Sequence, residues 1–488
     1  MPQAIDNAVC GPLKPGSQPP TDGQTLADLN PCPLNACCTT WGQCGITPEF
    51  CNNDTTAATG NPGTAPPGRS GCISNCGTDI KNDSTAGPVS SPISIGYYES
   101  WNFDRRCLNM RVDSVDTSKY THYHWAFAAI DPTTFEVSIN DTYNQWSRFT
   151  GLTGIKRIVS PPSIRPQTPA AAPRLKHHHQ QQPQVSLGGY SFSTDPSTAS
   201  IFRAATHPTN ASLFASNIAA FLALHNLDGI DIDWEYPSNP DLPSPSPSSD
   251  GPYYLSFIAL LRASLPANTT LSIAAPASYW YLRAFPIAAI ASVVDYIAYM
   301  TYDLHGQWDV GAAFAQSGCP AGNCLRSHVN LTETMWALGM VTKAGVPAAK
   351  VAVGLAAYGR SFGMREAGCD GPECAFDNDT AAAWAMASCT QTRGLVANAE
   401  IEVMREVARR GTRAWFDEGS GSDVLVYGDG ARQWVAYMGE ETRGARKERY
   451  RALGFAGTAD WAVDLLSFGD DERDPEGDAR RPVPAGGR

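Results

Sequence analysis

The stretch DGIDIDWEYP at positions 228–237 spaces three acidic residues at intervals of two. If it forms a strand, Asp231, Asp233 and Glu235 share one face, and the apolar side chains between them share the other. Carboxylates this close raise one another's pKa until a proton is shared, and a protonated acid beside charged ones is what general-acid catalysis requires. A solvated acidic edge strand or a metal loop is the alternative. Because edge strands rarely alternate acids with Ile and Trp, and because no His or Cys flanks the run, we interpret it as catalytic.

From Ser94 onward, short apolar runs alternate with longer helical patterns, as βα units do. Eight such units predict an α/β fold, a (β/α)₈ barrel with catalytic groups at the C-terminal ends of its strands. The acidic stretch ends the fourth unit, where that fold would place a catalytic acid. The eight strand candidates are 94–98, 122–130, 185–189, 229–235, 271–275, 296–303, 350–355 and 454–460.

Composition excludes several classes of function. The 488 residues exceed one typical domain, so a small module beside a barrel-sized domain is the natural partition. The net charge of -12 argues against a nucleic-acid partner, and no run of 18 apolar residues predicts a membrane span. We expect a monomer with no cofactor and no metal.

Cysteines are concentrated at the start of the chain. Eight of the 14 lie between Cys10 and Cys76, a density typical of a disulfide-stapled module in an oxidising compartment. Seven Asn-x-Ser/Thr sequons support this reading. No signal peptide is visible at Met1 to Ala4, so secretion is expected from the cysteines and sequons alone.

The acidic stretch resembles the DGxDxDxE signature of glycoside hydrolase family 18, the chitinases. Retaining members of this family use the substrate's own acetamido group as nucleophile. The resemblance implies that Glu235 is the general acid and base, and that Asp233 orients the acetamido N–H. It also implies that Asp231 shares a proton with Asp233, and that Tyr302 donates to the acetamido oxygen.

Further positions match the family's cleft. Met300 to Asp303 fits the sixth-strand MxYD pattern, in which Asp303 contacts a sugar hydroxyl, and Trp461 matches the tryptophan that floors the subsite of the cleaved sugar. Tyr190 stands where many relatives carry Trp, on the leaving-group side. The remaining positions that the resemblance assigns to substrate binding are Tyr97, Trp101, Gly188, Gly189, Tyr236, Met300 and Arg360.

The cysteine-rich start is similar to the hevein-type chitin-binding domain, whose eight-cysteine order it matches in full. Spacing alone leaves 105 connectivities open. The family implies that Thr39, Trp41 and Phe50 form the sugar-binding face, with Gln43 where a further aromatic is common. Losing one aromatic platform weakens binding without abolishing it. The implied pairings are Cys10–Cys38, Cys32–Cys44, Cys37–Cys51 and Cys72–Cys76.

These features predict the domain organisation. About a hundred residues separate the last two strands, too many for a βα loop, and the family often carries a small α+β insertion there. The expected units are a module at 1–76, a Ser/Pro/Gly-rich linker at 77–92, a catalytic barrel at 93–466 with an insertion at about 360–437, and a disordered tail at 467–488.

The third strand is interrupted. Deleting Val159 to Gln184 would join Ile158 directly to Val185 and give an uninterrupted strand that resembles the family's third-strand motif. Val-Ser can be encoded by GTGAGT, a splice donor, and Gln by CAG, an acceptor, so we hypothesise that these residues are a translated intron. A disordered surface insertion is the alternative. The histidine run at 177–179 is interpreted as compositional bias.

The combination of a hevein-type module with a family 18 barrel is similar to the killer-toxin-like fungal chitinases. It implies a secreted chitinase that hydrolyses β-1,4-linked N-acetylglucosamine polymer, with chitin and chitin oligosaccharides as its partners. A catalytically inactive chitin lectin on the same fold is one alternative, whose usual mark is loss of the catalytic acid. An endo-β-N-acetylglucosaminidase acting on glycoproteins is another, against which the chitin module argues.

Overall fold

The computed structural model of the chain describes residues 9–52, 71–81, 89, 91–152, 182–241, 247–312, 315–316, 318–378, 386–406 and 412–468. They form a three-stranded, a nine-stranded and a five-stranded sheet. Residues 153–181, which hold most of the hypothesised insert, lie outside the described residues, as do 82–88 of the expected linker and 469–488 of the expected tail.

The three-stranded sheet belongs to the N-terminal module. Its strands are β1 (Cys37–Thr39), β2 (Cys44–Gly45) and β3 (Cys72–Ser74), in the order β2-β1-β3, and helix α1 spans Pro48–Cys51. So small a unit has little apolar core and depends on covalent cross-links. The four disulfides that the family implied are all present, at Cys10–Cys38, Cys32–Cys44, Cys37–Cys51 and Cys72–Cys76.

The nine-stranded sheet contains the predicted barrel. Eight parallel strands close on themselves because β4 pairs with both β5 and β17, and the two-residue strand β6 (Val137–Ser138) pairs antiparallel with β5. The barrel strands are β4 (Ile93–Glu99), β5 (His122–Ile130), β7 (Gln182–Gly188), β8 (Gly229–Asp233), β9 (Thr270–Pro276), β10 (Tyr296–Met300), β11 (Val351–Ala356) and β17 (Gly457–Trp461).

Helices cover the outside of this barrel. Strand side chains that face them are fully buried, among them Val185, Leu187, Ile230 and Ile232, and each such burial stabilises the fold by about 2 kcal/mol. The helices are α2 (Trp146–Thr150), α3 (Tyr190–Thr194), α4 (Ile201–Thr206), α5 (Ala211–His225), α6 (Asp250–Ser264), α7 (Tyr279–Leu282), α8 (Ile287–Val293), α9 (Leu331–Lys343) and α11 (Glu440–Ala452).

The predicted α+β insertion lies between β11 and β17. Its five strands form an antiparallel sheet in the order β13-β12-β16-β15-β14, and it begins at Tyr358, two residues before the expected boundary. Its elements are β12 (Tyr358–Gly363), β13 (Leu395–Ala397), α10 (Asn398–Glu406), β14 (Arg413–Asp417), β15 (Ser422–Tyr427) and β16 (Gln433–Tyr437).

Several strand boundaries differ from the prediction: β10 ends at Met300 rather than at Asp303, β17 begins at Gly457 rather than at Gly454, and two further differences lie at the candidate site. Strand β8 ends at Asp233, so Glu235 lies in the loop that follows rather than on the strand. Strand β7 includes Gln182, Pro183 and Gln184, which pair with His122 to His124 and therefore fill positions that Lys156 to Ile158 would occupy if the hypothesised insert were removed.

Covalent cross-links also tie the barrel together. Sequence left the pairing of the remaining six cysteines open, and the structure pairs them as Cys107–Cys389, Cys319–Cys324 and Cys369–Cys374. The first of these connects the loop after β4 to the insertion. Within the described part of the chain, no helix has the length and apolarity needed to cross a membrane.

Candidate active site

Strand β8 carries two of the predicted acids into the barrel. Asp231 and Asp233 alternate with the helix-facing Ile230 and Ile232, as the period of two predicts, and they are 0% and 3% exposed. Glu235 follows two residues beyond the strand and is 8% exposed. Three carboxyl groups are therefore withdrawn from solvent at the C-terminal end of the fourth barrel strand.

Asp231 lies deepest and is surrounded by donors. The hydroxyl groups of Ser272, Ser186 and Tyr97 donate to its carboxylate at 2.6, 3.0 and 3.0 Å, and His124 Nδ1 lies 3.7 Å from it. Burial opposes ionisation of Asp231, but the neighbouring His124 and the hydrogen bonds from the two serines hold its pKa below the usual value. Asp231 is thus a fixed negative charge.

Asp233 is shifted in the opposite direction. Burial, followed by the charges of Glu235 and Asp231, raises its pKa well above the usual value, which favours its protonated form. Its Oδ1 atom has no hydrogen-bond partner among the described residues. A buried polar atom without a hydrogen-bond partner is available to accept a hydrogen bond from a ligand or to donate one to it.

Glu235 has the properties of a general acid. Burial raises its pKa to about 7, opposed by a hydrogen bond from Tyr236 and assisted by the negative charge of Asp303. Its backbone N–H donates to Ser193 Oγ at 3.0 Å, which fixes the loop after β8 against helix α3. A carboxyl group with a pKa near 7 can give up and regain a proton at the same pH.

Tyr302 follows strand β10 and faces the acids. Burial and the charges of Asp233 and Glu235 raise its pKa well above the ordinary range, so its hydroxyl remains a proton donor. Strand β11 carries Gly354 next to Tyr302. A larger residue would not fit there, because a Cβ at Gly354 would lie 2.8 Å from the Tyr302 ring. Met300, at the end of β10, is partly exposed on the same side of the barrel.

Asp303 forms a bidentate ion pair with Arg360 of the insertion. Arg360 Nε and a terminal nitrogen donate to the two carboxylate oxygens at 2.7 and 2.6 Å. Although partial burial opposes ionisation, this guanidinium and His328 hold the pKa of Asp303 far below the usual value. The guanidinium also lies 4.9 Å above the ring of Trp308, which is 53% exposed. The pair therefore joins the barrel to the insertion and fixes one wall of the cleft.

Aromatic rings form the floor. Trp461, at the end of β17, stacks on Phe127 at 5.4 Å, and Phe127 stacks on Trp101 at 5.8 Å. Tyr97 lies below Trp461 and is only 3% exposed, so the structure gives it a supporting role for Asp231 rather than a place on the cleft surface. Apolar faces of pyranose rings pack on such a surface.

Gly188 and Gly189 are buried at the end of β7. A Cβ at Gly188 would lie 2.4 Å from the backbone oxygen of Asp233, and one at Gly189 would lie 2.4 Å from the Phe127 ring. The Gly189 N–H donates to that Asp233 oxygen at 2.9 Å. Their small size therefore positions Asp233 and the aromatic floor, whereas the resemblance had assigned them to substrate contact.

The rim of the cleft that is formed by helices α3 and α7 is rich in tyrosine. Tyr190 is 63% exposed at the start of α3, and burial of part of its side chain raises its pKa. Tyr236 stacks on Tyr281 of helix α7 at 4.7 Å, and the Tyr281 hydroxyl donates to Asp241. These side chains give this end of the cleft a surface of aromatic rings and hydroxyl groups.

In the module, Trp41 and Phe50 are partly exposed, and the Phe50 ring lies over Gly45, where a Cβ would come within 2.2 Å of it. Thr39 is 2% exposed, and its hydroxyl accepts the N–H groups of Trp41 and Gln43 at 3.3 and 3.2 Å. Its hydroxyl thus shapes the turn that carries Trp41, which differs from the surface position that the family implied.

Several residues of the site were missed by sequence reasoning. The supports of Asp231 occupy inward positions of neighbouring strands, and polar residues at alternate positions of otherwise apolar strands were a signal that could have found them. Ser193 and the exposed Trp308 had no such local signal. The missed residues are His124, Ser186, Ser272, Phe127, Ser193, Trp308 and Tyr281.

Metal binding has one geometric candidate among the described residues, the sulfur atoms of Cys10, Cys32 and Cys38. All three are in disulfides, so none offers a thiolate.

A barrel with buried carboxyl groups at the end of its fourth strand and an aromatic floor defines a glycoside hydrolase fold and site. The chain belongs to the glycosyl hydrolases family 18, whose model matches residues 93–465. Residues 23–59 match the chitin recognition protein family.

Named relatives extend this comparison. The chain is 47% identical to the secreted chitinase LysM12 of Penicillium expansum, over 96% of this chain and 29% of that protein. It is 34% identical to the killer toxin subunits alpha/beta of Kluyveromyces lactis, over 99% of this chain and 37% of that protein. The chain therefore spans about a third of the length of these curated relatives.

Solved structures agree on the fold. The crystal structure of Ostrinia furnacalis Group IV chitinase in complex with allosamidin superposes with a TM-score of 0.61 at 22% identity, covering 80% of this chain and 96% of that one.

Proposed function

We propose that the chain is a chitinase that hydrolyses β-1,4 linkages of N-acetylglucosamine polymer with retention of configuration, by substrate-assisted catalysis. One observation carries the proposal. Glu235, with a pKa near 7, stands beside Asp233, whose pKa is also raised and whose Oδ1 atom has no partner among the described residues. This arrangement provides one proton donor and one group able to engage an acetamido side chain. The two ionised carboxylates described at the site are engaged elsewhere, Asp231 by three hydroxyl groups and Asp303 by Arg360, so neither is free to act as nucleophile.

In the first step, Glu235 gives its proton to the glycosidic oxygen as the bond between that oxygen and the anomeric carbon breaks. The substrate's acetamido oxygen forms a bond to the anomeric carbon, and an oxazolinium ion results. Asp233 orients the acetamido N–H and offsets the developing positive charge, with its proton shared toward the fixed charge of Asp231. Tyr302 donates its hydroxyl to the acetamido oxygen.

In the second step, Glu235 is a carboxylate and acts as base. It takes a proton from water while the water oxygen attacks the anomeric carbon and the bond to the acetamido oxygen breaks. Two inversions at one carbon give net retention, and Glu235 returns to its protonated form. Ser193, which fixes the Glu235 backbone, keeps the carboxyl group in place for both proton transfers.

Binding groups line both sides of this centre. Trp461 and Trp101 support the sugar on the floor, Asp303 and Arg360 meet sugar hydroxyls, and Tyr190 and Tyr236 contact the leaving-group side. These roles are supported by the positions of the side chains around the acids. In the module, Trp41 and Phe50 provide the chitin-binding face.

The disulfides and sequons bear on where the protein is located. The 14 cysteines form seven disulfides, which supports an extracellular protein, as do the seven sequons. We retain the division into a module at 1–76, a barrel at 93–466 and an insertion at about 360–437 as part of the proposal. A monomer remains our prediction.

The binding-only alternative lacks support in the site. A lectin on this fold would be expected to lose its proton donor, whereas Glu235, Asp233 and Tyr302 stand together and the pKa of each is raised, as a set of proton donors requires. The chitin recognition module likewise favours a chitin polymer over glycoproteins as substrate.

The experiment is hydrolysis of soluble chitin oligosaccharides with the anomeric form of the fresh product followed by NMR, in the parent and in Glu235→Gln. We expect β-anomer product from the parent and a loss of at least a thousandfold in kcat for the variant. Rates on the alkaline side should fall above a pH of about 7, where Glu235 loses its proton. An α-anomer product, or an active Glu235→Gln, would refute the mechanism.

A further inference from the structure

The N-terminal module does not stand apart from the barrel. Asn35 Nδ2 donates to the backbone oxygen of Lys343 at 2.8 Å, and this oxygen is one of the helix-terminal carbonyls that have no partner within α9. In return, Lys343 Nζ donates to the backbone oxygens of Asn75 and Gly77. The module therefore caps the C-terminal end of a barrel helix, and that helix supplies a cation to the module.

The contact continues along α9 into the segment expected to be a linker. The Lys81 N–H donates to Thr342 Oγ1 at 3.0 Å. One turn earlier, a Cβ at Gly339 would lie 2.3 Å from the backbone oxygen of Thr78. We call Gly339, Thr342 and Lys343 the docking face. A glycine at this position allows the backbone of Thr78, just after the module, to lie directly on the helix.

Apolar side chains complete the contact. Leu34, Ile46 and Ile80 pack against the main hydrophobic core of the barrel. In the other direction, Tyr279 of helix α7 packs against the buried cystines of the module. Apolar contact in both directions buries surface that a module on a free tether would leave exposed to water.

Helix α7 also borders the cleft. Tyr281, two residues after Tyr279, stacks on Tyr236, which adjoins the acid Glu235 in sequence and hydrogen-bonds to it. A single turn of helix therefore touches the module on one side and the catalytic loop on the other.

We propose that the docking face, together with Tyr279 of α7, is an intramolecular interaction surface that fixes the module along the side of the barrel, from the end where α9 leads into β11 to the helix that borders the cleft. Module and barrel then engage a polysaccharide chain as one rigid body. The docking itself is independent of catalysis, whereas its effect on a polysaccharide rests on the proposed function. Two sites held in a geometry that one polymer can span bind more tightly than the same sites on a loose tether.

Gly339→Ala tests the docking because a docked and an undocked module predict opposite changes in the stability of the protein. In a helix interior, alanine stabilises relative to glycine, so a free helix would become more stable. If the module is docked, the added methyl meets the Thr78 oxygen, and stability falls. Gly444→Ala in helix α11 is the matched control, because a Cβ there meets nothing within 4 Å.

The measurement is hydrogen exchange by mass spectrometry on the full chain, together with thermal unfolding. We expect Gly339→Ala to lower the Tm and to accelerate exchange in residues 77–81 at least tenfold, while Gly444→Ala leaves that exchange unchanged and keeps or raises the Tm. If both variants raise the Tm and neither alters exchange at 77–81, the proposal is wrong.

A second variant keeps the test decisive if Gly339→Ala does not fold. Thr342→Val preserves shape and removes the acceptor of the Lys81 N–H, so exchange at Lys81 should rise without a steric clash. Unchanged exchange at Lys81 would count against docking.

The functional consequence is measured separately, as hydrolysis of insoluble chitin relative to soluble oligosaccharides. We expect Gly339→Ala to lose at least fivefold on the insoluble polymer and to match the parent on soluble substrate. Equal losses on both substrates, or none, would refute the role of the module in polymer capture. A parent inactive on both would instead refute the proposed function and leave the exchange result standing.

Discussion

Replacing Glu235 by Gln should stabilise the protein in a pH-dependent way, because the acid is buried in an environment that disfavours its charge. Its pKa of about 7 in the folded chain compares with 4.5 for the free side chain, a difference worth about 3 kcal/mol. The folded state therefore holds the proton more tightly than the unfolded state does. Stability is lost as the pH rises from about 4.5 to about 7, and Gln, which does not titrate, escapes this loss.

The expected result is a Tm advantage of Glu235→Gln that grows between pH 4.5 and pH 8 by on the order of 4 °C for a domain of this size. Scanning calorimetry at the two pH values measures it, and the exposed Glu136→Gln is the control, which should show no such growth. An advantage that is the same at both pH values would refute the assignment of a raised pKa to Glu235. It would also remove the main physical support for this residue as the proton donor.

Four further predictions concern other parts of the molecule. Tyr302→Phe should keep the ring packing beside Gly354 and lower kcat by about 100- to 1,000-fold, and a loss below tenfold in oligosaccharide hydrolysis would exclude its hydroxyl from the transition state. Trp308→Ala should raise KM for long oligosaccharides by about tenfold while KM for the shortest substrate stays constant; a uniform rise would place Trp308 elsewhere. Trp41→Ala should weaken binding to insoluble chitin by about tenfold with kcat on soluble substrate unchanged, and undiminished pull-down would argue against the module's binding face. Deleting Val159 to Gln184 should give a folded, active protein of equal or higher Tm, because it removes a proline from a central strand; loss of folding would show that the segment is required.

Much of this architecture was predictable from local patterns. The alternation of acids with Ile in the fourth strand requires one polar and one apolar face, and a barrel provides both, with Asp231 and Asp233 inside and Ile230 and Ile232 against the helices. The module's disulfides followed from the order of its cysteines and the family resemblance, since its residues are too few to fold around an apolar core.

Other features depend on contacts that no local pattern encodes. The fourth strand ends at Asp233 because the backbone N–H of Glu235 bonds to Ser193, from a helix 42 residues earlier, rather than to a neighbouring strand. Tyr97 and Thr39 are of residue types that often bind sugars. In the structure, however, the Tyr97 hydroxyl donates to Asp231, and the Thr39 hydroxyl accepts from the backbone of a turn. Burial of a given side chain is decided by what packs over it, which here comes from distant parts of the chain.

The disulfide between Cys107 and Cys389 joins two residues that are 282 positions apart in the sequence. It closes the chain between them into a covalent ring. Barrel strands two to seven, β5 to β11, lie inside the ring, while β4 and β17, the two strands whose pairing closes the barrel, lie outside it. A single protease cut anywhere within the ring would leave the two fragments joined, and the protein would migrate as an intact chain until it is reduced. The ends of the catalytic domain can therefore separate while its central six strands remain one closed loop of polypeptide.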